Sequence, residues 1–531
     1  MKFYKFVVCF FIVLFVLSLD FYVFADDLDF ENDIDISSFV QSSSSIVTKP
    51  VINSRAGIVF DRNSGCILFG KNENEKRKMA STTKIMTAII VLENANLNDI
   101  VTISQKSAGT GGSRLGLHVN DKVSVLNLLY GLLLCSGNDS AVALAEHVGG
   151  DVAGFAALMN DKCNKLNLTS THFVTPHGLD DDNHYTTAYE LAIITDYALK
   201  NPTFVNLVST KTHTVSINGY SKTLNNTNEL LGYLNGVYGV KTGFTNGANR
   251  CLVTSIKKDN MDLICIVLGA DTKKDRTRDS IELIDYAFSN FKLFNIKEKV
   301  LSEFNNWISF NSNSFAITKG VSNSLDLKFD DLPYDSLPIN CNYFDDVCIY
   351  IYCDKKLDSP LPANSIVGYI SVSVNNEQIM SVNIRNVNEV EKKTYNYFFE
   401  EMLRLDTNPV QASNYIITRL LGYLNQTNKS IDDIYMKPKM LSDMIKLVES
   451  NTISTEQAKQ VFNMILEEEK EPLVIVKEHG MEQISDEDTL RKMVNEVLDN
   501  NQTQLEQYKS GKTNLIGFFV GQTLKKSAGK A

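Results

Sequence analysis

Two residues at the start of an apolar helical pattern have the types and spacing needed for nucleophilic chemistry. Ser81 and Lys84 stand three positions apart, so a helix places the hydroxyl and the ammonium on one face. A capping box would have Glu or Gln at the second position, and a lysine there opposes the helix dipole. A desolvated ammonium loses its proton more easily and then accepts the proton of a serine hydroxyl. The pair predicts a serine nucleophile with a lysine base, although this four-residue pattern alone also arises by chance.

Two tripeptides follow this pair along the chain, and the order of the three motifs is itself a signal. Residues 136–138 (SGN) lie between two apolar helical patterns, and residues 241–243 (KTG) lie in a strand pattern just before a hairpin turn. Alone, the first is typical of a turn between helices and the second carries no signal. With the serine–lysine pair they resemble the ordered motif set of penicillin-binding proteins and class A β-lactamases, except that Gly137 stands where that set has aspartate.

The elements that must position these motifs form one mixed domain. Two short strand patterns, at 56–60 and 66–69, flank a turn and predict a hairpin. Helical patterns follow at about 81–95, 123–148, 152–166, 187–200 and 275–291. Three alternating strands, separated by short turns, are predicted at 238–245, 252–258 and 263–268. Strands at both ends with helices between them predict an α/β domain at about 51–295.

The rest of the chain has a different character. Residues 296–392 contain short β-branched runs interrupted by prolines, which predict a small all-β domain. Residues 393–531 are poor in strand patterns and rich in helical ones, and Ser454 with Gln457 forms a capping-box signature at one helix start. The predicted fold class is therefore multidomain, with an α/β domain, a small all-β domain and an all-α tail.

The amino terminus predicts export. Lys2 and Lys5 precede an apolar run at residues 6–19, and small and apolar residues lead to Ala25 before two aspartates. This is the pattern of a secretory signal peptide over 1–25, and the run is shorter than the ~20 residues that span a bilayer. Cleavage after Ala25 would release the protein to the extracellular face, at the cell wall, and membrane association is expected only through an uncleaved segment. Residues 26–50, acidic and then serine-rich, predict a flexible linker.

Composition excludes several classes of function. The net charge of −11 argues against a general nucleic-acid binder, so no DNA partner is expected. Nine cysteines include no CxxC pair, and His177 and His184 lack a third ligand nearby. We therefore expect no metal and no cofactor, and hydrogen-bonding roles for both histidines.

The residues around the motifs resemble the low-molecular-mass D-alanyl-D-alanine carboxypeptidases of peptidase family S11. The similarity runs over about 51–392 and is carried by segments 56–92, 108–116, 173–179 and 241–252, and by the β-rich region around 361–374. The resemblance implies a β-lactamase/transpeptidase-like catalytic domain. It also implies a serine-type carboxypeptidase that removes the terminal D-alanine of a peptidoglycan stem peptide through an acyl-enzyme, and that binds β-lactam inhibitors.

The resemblance also implies roles for single residues. Ser81 would be the acyl nucleophile, Lys84 its base, and Ser136 with Asn138 the proton shuttle and substrate clamp. Lys241 and Thr242 on the KTG strand, with Arg276 on a later helix, would hold the peptide's carboxylate. Gly243 completes the motif, and the backbone N–H groups of Ser81 and Phe244 would form the oxyanion hole.

A β-lactamase-like hydrolase is one alternative. Class A β-lactamases need a deacylating glutamate after the second motif. No matching Glu-x-x-x-Asn segment occurs in 150–190, which favours peptide hydrolysis. Many relatives have Ala-Gly where this chain has Ala248 and Asn249, a change just past the hairpin turn that predicts a tuned site and not an inactive one.

The tail has a resemblance of its own. Residues 395–531 resemble the carboxy-terminal helical region of the B-type subunit of aspartyl/glutamyl-tRNA amidotransferase, in segments 440–466, 483–487 and 517–529. That family implies contact with tRNA, and several lysines follow the last acidic residue: Lys509, Lys512, Lys525, Lys526 and Lys530. The rival hypothesis is a tRNA-binding protein fused to a peptidase. A signal peptide contradicts it by compartment, and two explanations stay open: a fused or misassembled reading frame, or a helical domain reused outside the cell.

Overall fold

A computed structural model describes residues 48–311, 315–322, 324–484, 486–527 and 530. The predicted signal peptide and nearly all of the predicted linker lie outside the described residues. The chain forms two compact units. The first comprises the described residues up to Leu301 together with 332–348 and 373–379, and the second comprises 302–331, 349–372 and the residues from Met380 onward.

The first unit contains strands and helices in alternation. Its strands are β1 (Ala56–Asp61), β2 (Ile67–Lys71), β3 (Ile100–Thr102), β4 (Lys122–Ser124), β5 (Thr212–Ile217), β6 (Tyr220–Asn225), β7 (Val237–Thr245), β8 (Asn249–Lys258), β9 (Met261–Ala270) and β10 (Phe291–Asn295). Its helices are α1 (Lys84–Asn94), α2 (Gln105–Ala108), α3 (Val125–Leu133), α4 (Asn138–Gly149), α5 (Val152–Lys165), α6 (Ala188–Leu199), α7 (Pro202–Ser209) and α8 (Lys273–Asn290). Hydroxyl side chains begin several helices: Ser124 caps α3, Thr187 caps α6 and Thr272 caps α8.

A five-stranded antiparallel sheet is the centre of this unit. Its strand order is β2-β1-β9-β8-β7, which confirms the predicted hairpin β1–β2 and leaves β7 at an edge. Side chains of β9 alternate between two cores: Ile264 and Ile266 pack with α1 and α3 to α6, whereas Cys265 and Val267 pack with α8. Helices therefore cover both faces of the sheet, and the long predicted helix at 123–148 is two helices that break at the SGN segment.

A helix occupies the start of the region predicted as all-β. Residues Ile296–Asn311 form α9, so the sequence-based assignment of 296–392 to strands is wrong for its first sixteen residues. Ile296, Val300 and Phe304 recur at helical spacing and are buried, with Trp307 one turn further on. The proline-interrupted strands begin only after this helix.

The β-rich region otherwise forms short strands. They are β11 (Ala316–Thr318), β12 (Leu327–Phe329), β13 (Ser336–Asn340), β14 (Val347–Cys353), β15 (Lys356–Asp358), β16 (Ile366–Val374) and β17 (Glu377–Asn386). Four of them make a sheet in the order β12-β17-β16-β14, β11 pairs with β15, and β13 pairs with β10 in the first unit.

The tail from residue 395 is helical. Its helices are α10 (Tyr395–Arg404), α11 (Pro409–Asn414), α12 (Leu421–Thr427), α13 (Pro438–Glu449), α14 (Thr455–Glu468), α15 (Pro472–Glu478), α16 (Glu487–Asp499), α17 (Gln502–Lys509) and α18 (Ile516–Lys526). The predicted capping box of Ser454 and Gln457 is confirmed at the start of α14. Among the described residues no single helix is long and apolar enough to cross a membrane; α4 and α5 reach that length only together, across an 81° bend.

Candidate active site

Ser81 and Lys84 meet at a tight turn before α1. A 3₁₀ turn, Ala80–Thr83, carries the serine, and the lysine is the first residue of the helix. Lys84 Nζ lies 2.6 Å from Ser81 Oγ, and the lysine side chain is fully buried. Ala80 has a φ of 47°, a left-handed conformation that costs energy at a residue with a Cβ. The predicted pairing of hydroxyl and amine on one face is thus seen at hydrogen-bond distance.

Asn138 joins this pair from the SGN segment. Its Oδ1 accepts a hydrogen bond from Lys84 Nζ at 2.7 Å, and its Nδ2 donates to the Gly111 carbonyl at 2.8 Å. Lys84 Nζ donates further to the His177 carbonyl at 3.0 Å. The lysine is therefore oriented by groups from three separate parts of the chain.

Ser136 sits at the break between α3 and α4 in a left-handed conformation, with φ at 61°. It is fully buried, and its hydroxyl has no hydrogen-bond partner among the residues that the structure describes. A buried hydroxyl without a partner is costly in a folded protein unless a ligand or water completes it. This hydroxyl therefore has an unused capacity for hydrogen bonding next to Asn138.

Asp139 supports the SGN segment and was missed by the sequence analysis. Its buried carboxylate accepts hydrogen bonds from the backbone N–H groups of Leu115, Gly116 and Leu117 at 2.8–3.0 Å. These bonds hold the loop before β4 against the first turn of α4. An acidic residue in the first turn of a helix was the available signal, but it is common for helices in general.

The KTG segment lies on the edge strand β7. Lys241 and Thr242 are buried; Lys241 Nζ donates to the Thr242 carbonyl at 3.0 Å, and the Thr242 hydroxyl lies 2.7 Å from that of Thr227. A Cβ on Gly243 would lie 3.0 Å from the backbone nitrogen of Ser81. Glycine therefore lets the strand pass close beside the serine turn.

Arg276 lies on α8 and shares a pocket of about 260 Å³ with Thr242 and Phe244. Its guanidinium makes an ion pair of 2.7 Å with Glu229, which also accepts from the Thr277 hydroxyl at 2.6 Å. Burial alone would raise the pKa of Glu229, but Arg276, Thr277 and Lys273 together hold this pKa below its usual value. Glu229 was missed by the sequence analysis, since no motif marks it.

His177 and His184 are buried beside the serine turn and make hydrogen bonds. His184 Nε2 lies 2.8 Å from the Thr83 hydroxyl, and its Nδ1 accepts from the backbone N–H of Val174. Burial lowers the pKa of His177 to about 3, helped by the nearby Lys84, and burial lowers the pKa of His184 to about 4. Within the described ranges no three His, Cys, Asp or Glu residues cluster as metal ligands.

Comparison with known proteins matches much of this chain to one family. Residues 43–272 fit the model of the family described as D-alanyl-D-alanine carboxypeptidase. The chain is 33% identical over 365 residues to the D-alanyl-D-alanine carboxypeptidase DacA of Haemophilus influenzae, covering 65% of this chain and 87% of the relative. The chain belongs to the D-alanyl-D-alanine carboxypeptidase family. The predictions of a serine-type D-alanyl-D-alanine carboxypeptidase of family S11 and of its fold class are therefore confirmed.

Other members of the carboxypeptidase family agree. DacF of Bacillus subtilis is 35% identical over 262 residues, which is 48% of this chain and 67% of the relative. Among solved structures, penicillin-binding protein 5 of Haemophilus influenzae aligns with a TM-score of 0.52 at 30% identity, over 65% of this chain and 100% of the other. DacD of Francisella tularensis aligns with a TM-score of 0.54 at 24% identity, over 68% and 97%, and supports the fold alone.

The tail matches a different family. Residues 397–531 fit the model described as GatB domain. The predicted resemblance of the tail to the B-type amidotransferase subunit is therefore confirmed as a family match. The match lies outside the residues that fit the carboxypeptidase model.

Proposed function

We propose that this chain removes the terminal D-alanine from peptidoglycan stem peptides through an acyl-enzyme on Ser81. The observation that carries the proposal is the 2.6 Å hydrogen bond between Lys84 Nζ and Ser81 Oγ in a buried site. A member of the D-alanyl-D-alanine carboxypeptidase family with a serine–lysine pair at this distance is equipped for acyl transfer.

Acylation begins when Ser81 Oγ attacks the carbonyl carbon between the last two D-alanines. The hydroxyl proton passes to Lys84 Nζ, and a tetrahedral intermediate forms. Its collapse breaks the C–N bond, the leaving amine takes up the proton that Lys84 Nζ accepted, and free D-alanine departs. The rest of the peptide stays as an ester on Ser81. To accept this proton Lys84 must be in its neutral form, and burial favours the neutral form of an amine over the charged one.

The oxyanion of that intermediate needs two donors. In this proposal they are the backbone N–H groups of Ser81 and Phe244, each worth roughly 3–4 kcal/mol of transition-state stabilisation. The close passage of Gly243 beside the Ser81 nitrogen supports this assignment, because Phe244 is the next residue on the same strand.

Recognition of the substrate falls to the pocket beside β7. Lys241, Thr242 and Arg276 hold the free carboxylate of the terminal D-alanine, and the pocket shared by Thr242 and Arg276 supports this role. Glu229, which also lines this pocket, holds the Arg276 guanidinium in an ion pair. A guanidinium already fixed by one carboxylate loses less side-chain entropy when it meets a second.

Deacylation requires water and a proton relay. Water attacks the ester carbonyl, the peptide leaves as a carboxylate, and the proton returns to Ser81 Oγ. Ser136 relays the proton and Asn138 clamps the peptide, roles supported by the unpartnered Ser136 hydroxyl and by the bond from Lys84 to Asn138. A β-lactam acylates the same serine, but its leaving nitrogen stays attached to the ester, so hydrolysis is slow.

In this proposal the enzyme works outside the cytoplasmic membrane. Peptidoglycan lies outside the cytoplasmic membrane, and the predicted signal peptide at 1–25 would bring the enzyme to it. A carboxypeptidase at the cell wall has no access to tRNA, so the tail makes no tRNA contact in this proposal. In the tail Lys526 is also paired with Glu496, which reduces the charge available for phosphate.

The direct test is release of D-alanine from an N-acetylated tripeptide that ends in D-Ala-D-Ala. We expect stoichiometric release by the purified protein, and only slow hydrolysis of benzylpenicillin. Rapid penicillin hydrolysis without D-alanine release would instead establish the β-lactamase alternative. A tRNA filter-binding titration of the full chain tests the rival function, since tight and salt-sensitive binding would contradict the proposal.

A further inference from the structure

A cavity of about 600 Å³ belongs entirely to the second unit. Its lining includes Trp307 near the end of α9, Tyr352 on β14 and Tyr369 on β16, with Asp354 and Lys355 just beyond β14. Sites for small organic ligands commonly have volumes of roughly 300–1,000 Å³ and combine aromatic walls with a few polar groups. Nothing in the proposed carboxypeptidase reaction uses these residues.

The two tyrosines form a stacked pair that is open to solvent. Their ring centroids are 4.9 Å apart and the planes differ by 26°. Tyr352 is nevertheless 50% exposed and Tyr369 is 45% exposed. Each ring covers part of the other, and the exposed remainder of the pair leaves hydrophobic surface in water, which favours contact with a ligand. Tyrosine suits such a contact because its ring is apolar and its hydroxyl stays wet.

The charged groups of the cavity cancel. Asp354 contributes one negative charge and Lys355 one positive charge, so the side chains at this rim are neutral overall. A site for phosphate, nucleic acid or an acidic polymer needs an excess of cations. A concave cavity also suits a small ligand or a polymer segment better than a protein, whose stable interfaces bury roughly 1,200–2,000 Å².

We propose that this cavity binds a neutral amino-sugar oligosaccharide. The ring faces of Tyr352 and Tyr369 pack against the C–H faces of pyranose rings, while Asp354 and Lys355 hydrogen-bond to hydroxyl and acetamido groups. The neutral aromatic site follows from the cavity itself, whereas the choice of amino sugars rests on the proposed function, since they form the glycan strands of peptidoglycan. The site holds the polymer and takes no part in bond cleavage.

Trp307 provides the readout. It is the single tryptophan of the chain and it lines the cavity, so intrinsic tryptophan fluorescence reports on this site. The titration uses full-length protein carrying Ser81→Ala, which keeps the measurement independent of catalysis. With tetra-N-acetylchitotetraose as the probe, we expect a saturable change in emission.

Tyrosine variants then locate the binding. Tyr352→Ala and Tyr369→Ala should each weaken binding of the tetrasaccharide about 10-fold, which corresponds to about 1.4 kcal/mol. Tyr350→Ala is the matched control, because Tyr350 lies on the same strand, is 45% exposed and is not among the residues that line the cavity. The control should bind as tightly as the parent, and all three variants should keep the melting temperature of the parent.

The proposal would be overturned if the tetrasaccharide caused no saturable change in emission. It would also be overturned if all three tyrosine variants weakened binding of the tetrasaccharide equally. Preferential binding of an anionic oligosaccharide of similar length would also overturn it, because the cavity is neutral. Failure of the wild-type chain to release D-alanine bears on the proposed function alone. Saccharide binding by the Ser81→Ala protein would stand in that case.

Discussion

At the scale of single residues, chemistry depends on how Lys84 is surrounded. A serine hydroxyl in water is a weak nucleophile, and a lysine in water is protonated and cannot act as its base. Here the amine is fully buried, with its nitrogen directed at Ser81, Asn138 and the His177 carbonyl. The residue pair therefore becomes reactive only through burial and orientation that other parts of the chain provide.

Replacement of the lysine tests its role as the base. Lys84→Arg keeps the positive charge but cannot accept a proton, because a guanidinium stays protonated to about pH 12. We expect the rate of acylation by a β-lactam to fall by at least ~100-fold, the usual contribution of a general base. Stopped-flow acylation kinetics measure this, with circular dichroism as the control for folding. A rate within a few-fold of wild type would remove Lys84 from the role.

The two buried histidines predict a loss of stability in mild acid. Their folded pKa values, about 3 for His177 and about 4 for His184, lie below the ~6.5 of an unfolded chain. The unfolded state therefore binds more protons below pH 6.5, so stability is full above that pH and falls as pH decreases. Two histidines give a slope approaching about 2.7 kcal/mol per pH unit between pH 6 and 5. Urea unfolding at a series of pH values measures it.

His184→Gln separates the two histidines. This variant should lose the share of the slope that comes from His184, up to about 1.3 kcal/mol per pH unit between pH 6 and 5, because only His177 then resists protonation. Asp285, whose pKa burial raises to about 6, titrates in the same window with the opposite sign, but it does so in both proteins, so the difference between them isolates His184. An unchanged slope in the variant would show that another group causes the acid sensitivity.

Sequence reasoning found the residues that carry motifs and missed those that only support them. Ser81, Lys84 and Asn138 were expected, and the fold brings them within hydrogen-bond distance. Asp139 and Glu229 were not expected. Their partners come from distant elements, a loop before β4 and the helix α8, so their importance exists only after folding.

At the scale of elements, the edge strand β7 and the serine turn must approach closely. The strand presents Gly243 to the backbone nitrogen of Ser81, and the loop before it reaches back through the hydroxyl contact of Thr227 with Thr242. Two residues at sharp turns have a left-handed backbone: Ala80, which begins the serine turn, and Ser136, at the break between α3 and α4. Left-handed backbone and close packing thus both occur where the reaction is proposed to take place.

Gly243→Ala tests this close approach. The added methyl would lie 3.0 Å from the Ser81 nitrogen and 3.1 Å from that of Thr82, which is tighter than ordinary contact. The strand must then shift by a few tenths of an ångström, and we expect the acylation rate to fall about 10–100-fold through displacement of one oxyanion donor. Gly422→Ala is the control, because a Cβ at that glycine would meet no atom within 4 Å. Wild-type acylation by Gly243→Ala would refute the proposed geometry.

The element that the sequence analysis assigned wrongly shows how composition competes with periodicity. The β-branched and proline-rich character of 296–392 is real, but it starts after α9. The apolar residues Ile296, Val300 and Phe304 already had helical spacing. Within the catalytic part, by contrast, most long helices and alternating strands agreed with local preference, and their boundaries were found within a few residues; the exception is 123–148, predicted as one helix and found as two.

At the scale of the whole molecule, two families are joined in one chain. The carboxypeptidase match ends at residue 272 and the GatB match starts at 397. The tail buries its own apolar core, which includes Phe398, Met440 and Phe462. Because the tail has an apolar core of its own, we expect the catalytic site not to depend on it.

Truncation after Glu391 tests this independence. The shortened protein keeps both the proposed catalytic residues and strands β11 to β17. We expect D-alanine release within about 2-fold of the full chain, because no proposed site residue lies in the tail. Steady-state kinetics on matched preparations measure it, with the melting temperature as the control. Loss of activity by a folded truncated protein would show that the tail contributes to the catalytic unit.

The central claim is that Ser81 forms the acyl-enzyme, and covalent labelling with a fluorescent penicillin tests it most directly. The wild-type chain should carry one label per molecule, at a peptide that contains Ser81 when the digested protein is analysed by mass spectrometry. Ser81→Ala removes a single oxygen atom from a buried turn, so the variant should fold and should take up no label. Undiminished labelling of Ser81→Ala, or a label found on another residue, would contradict the account.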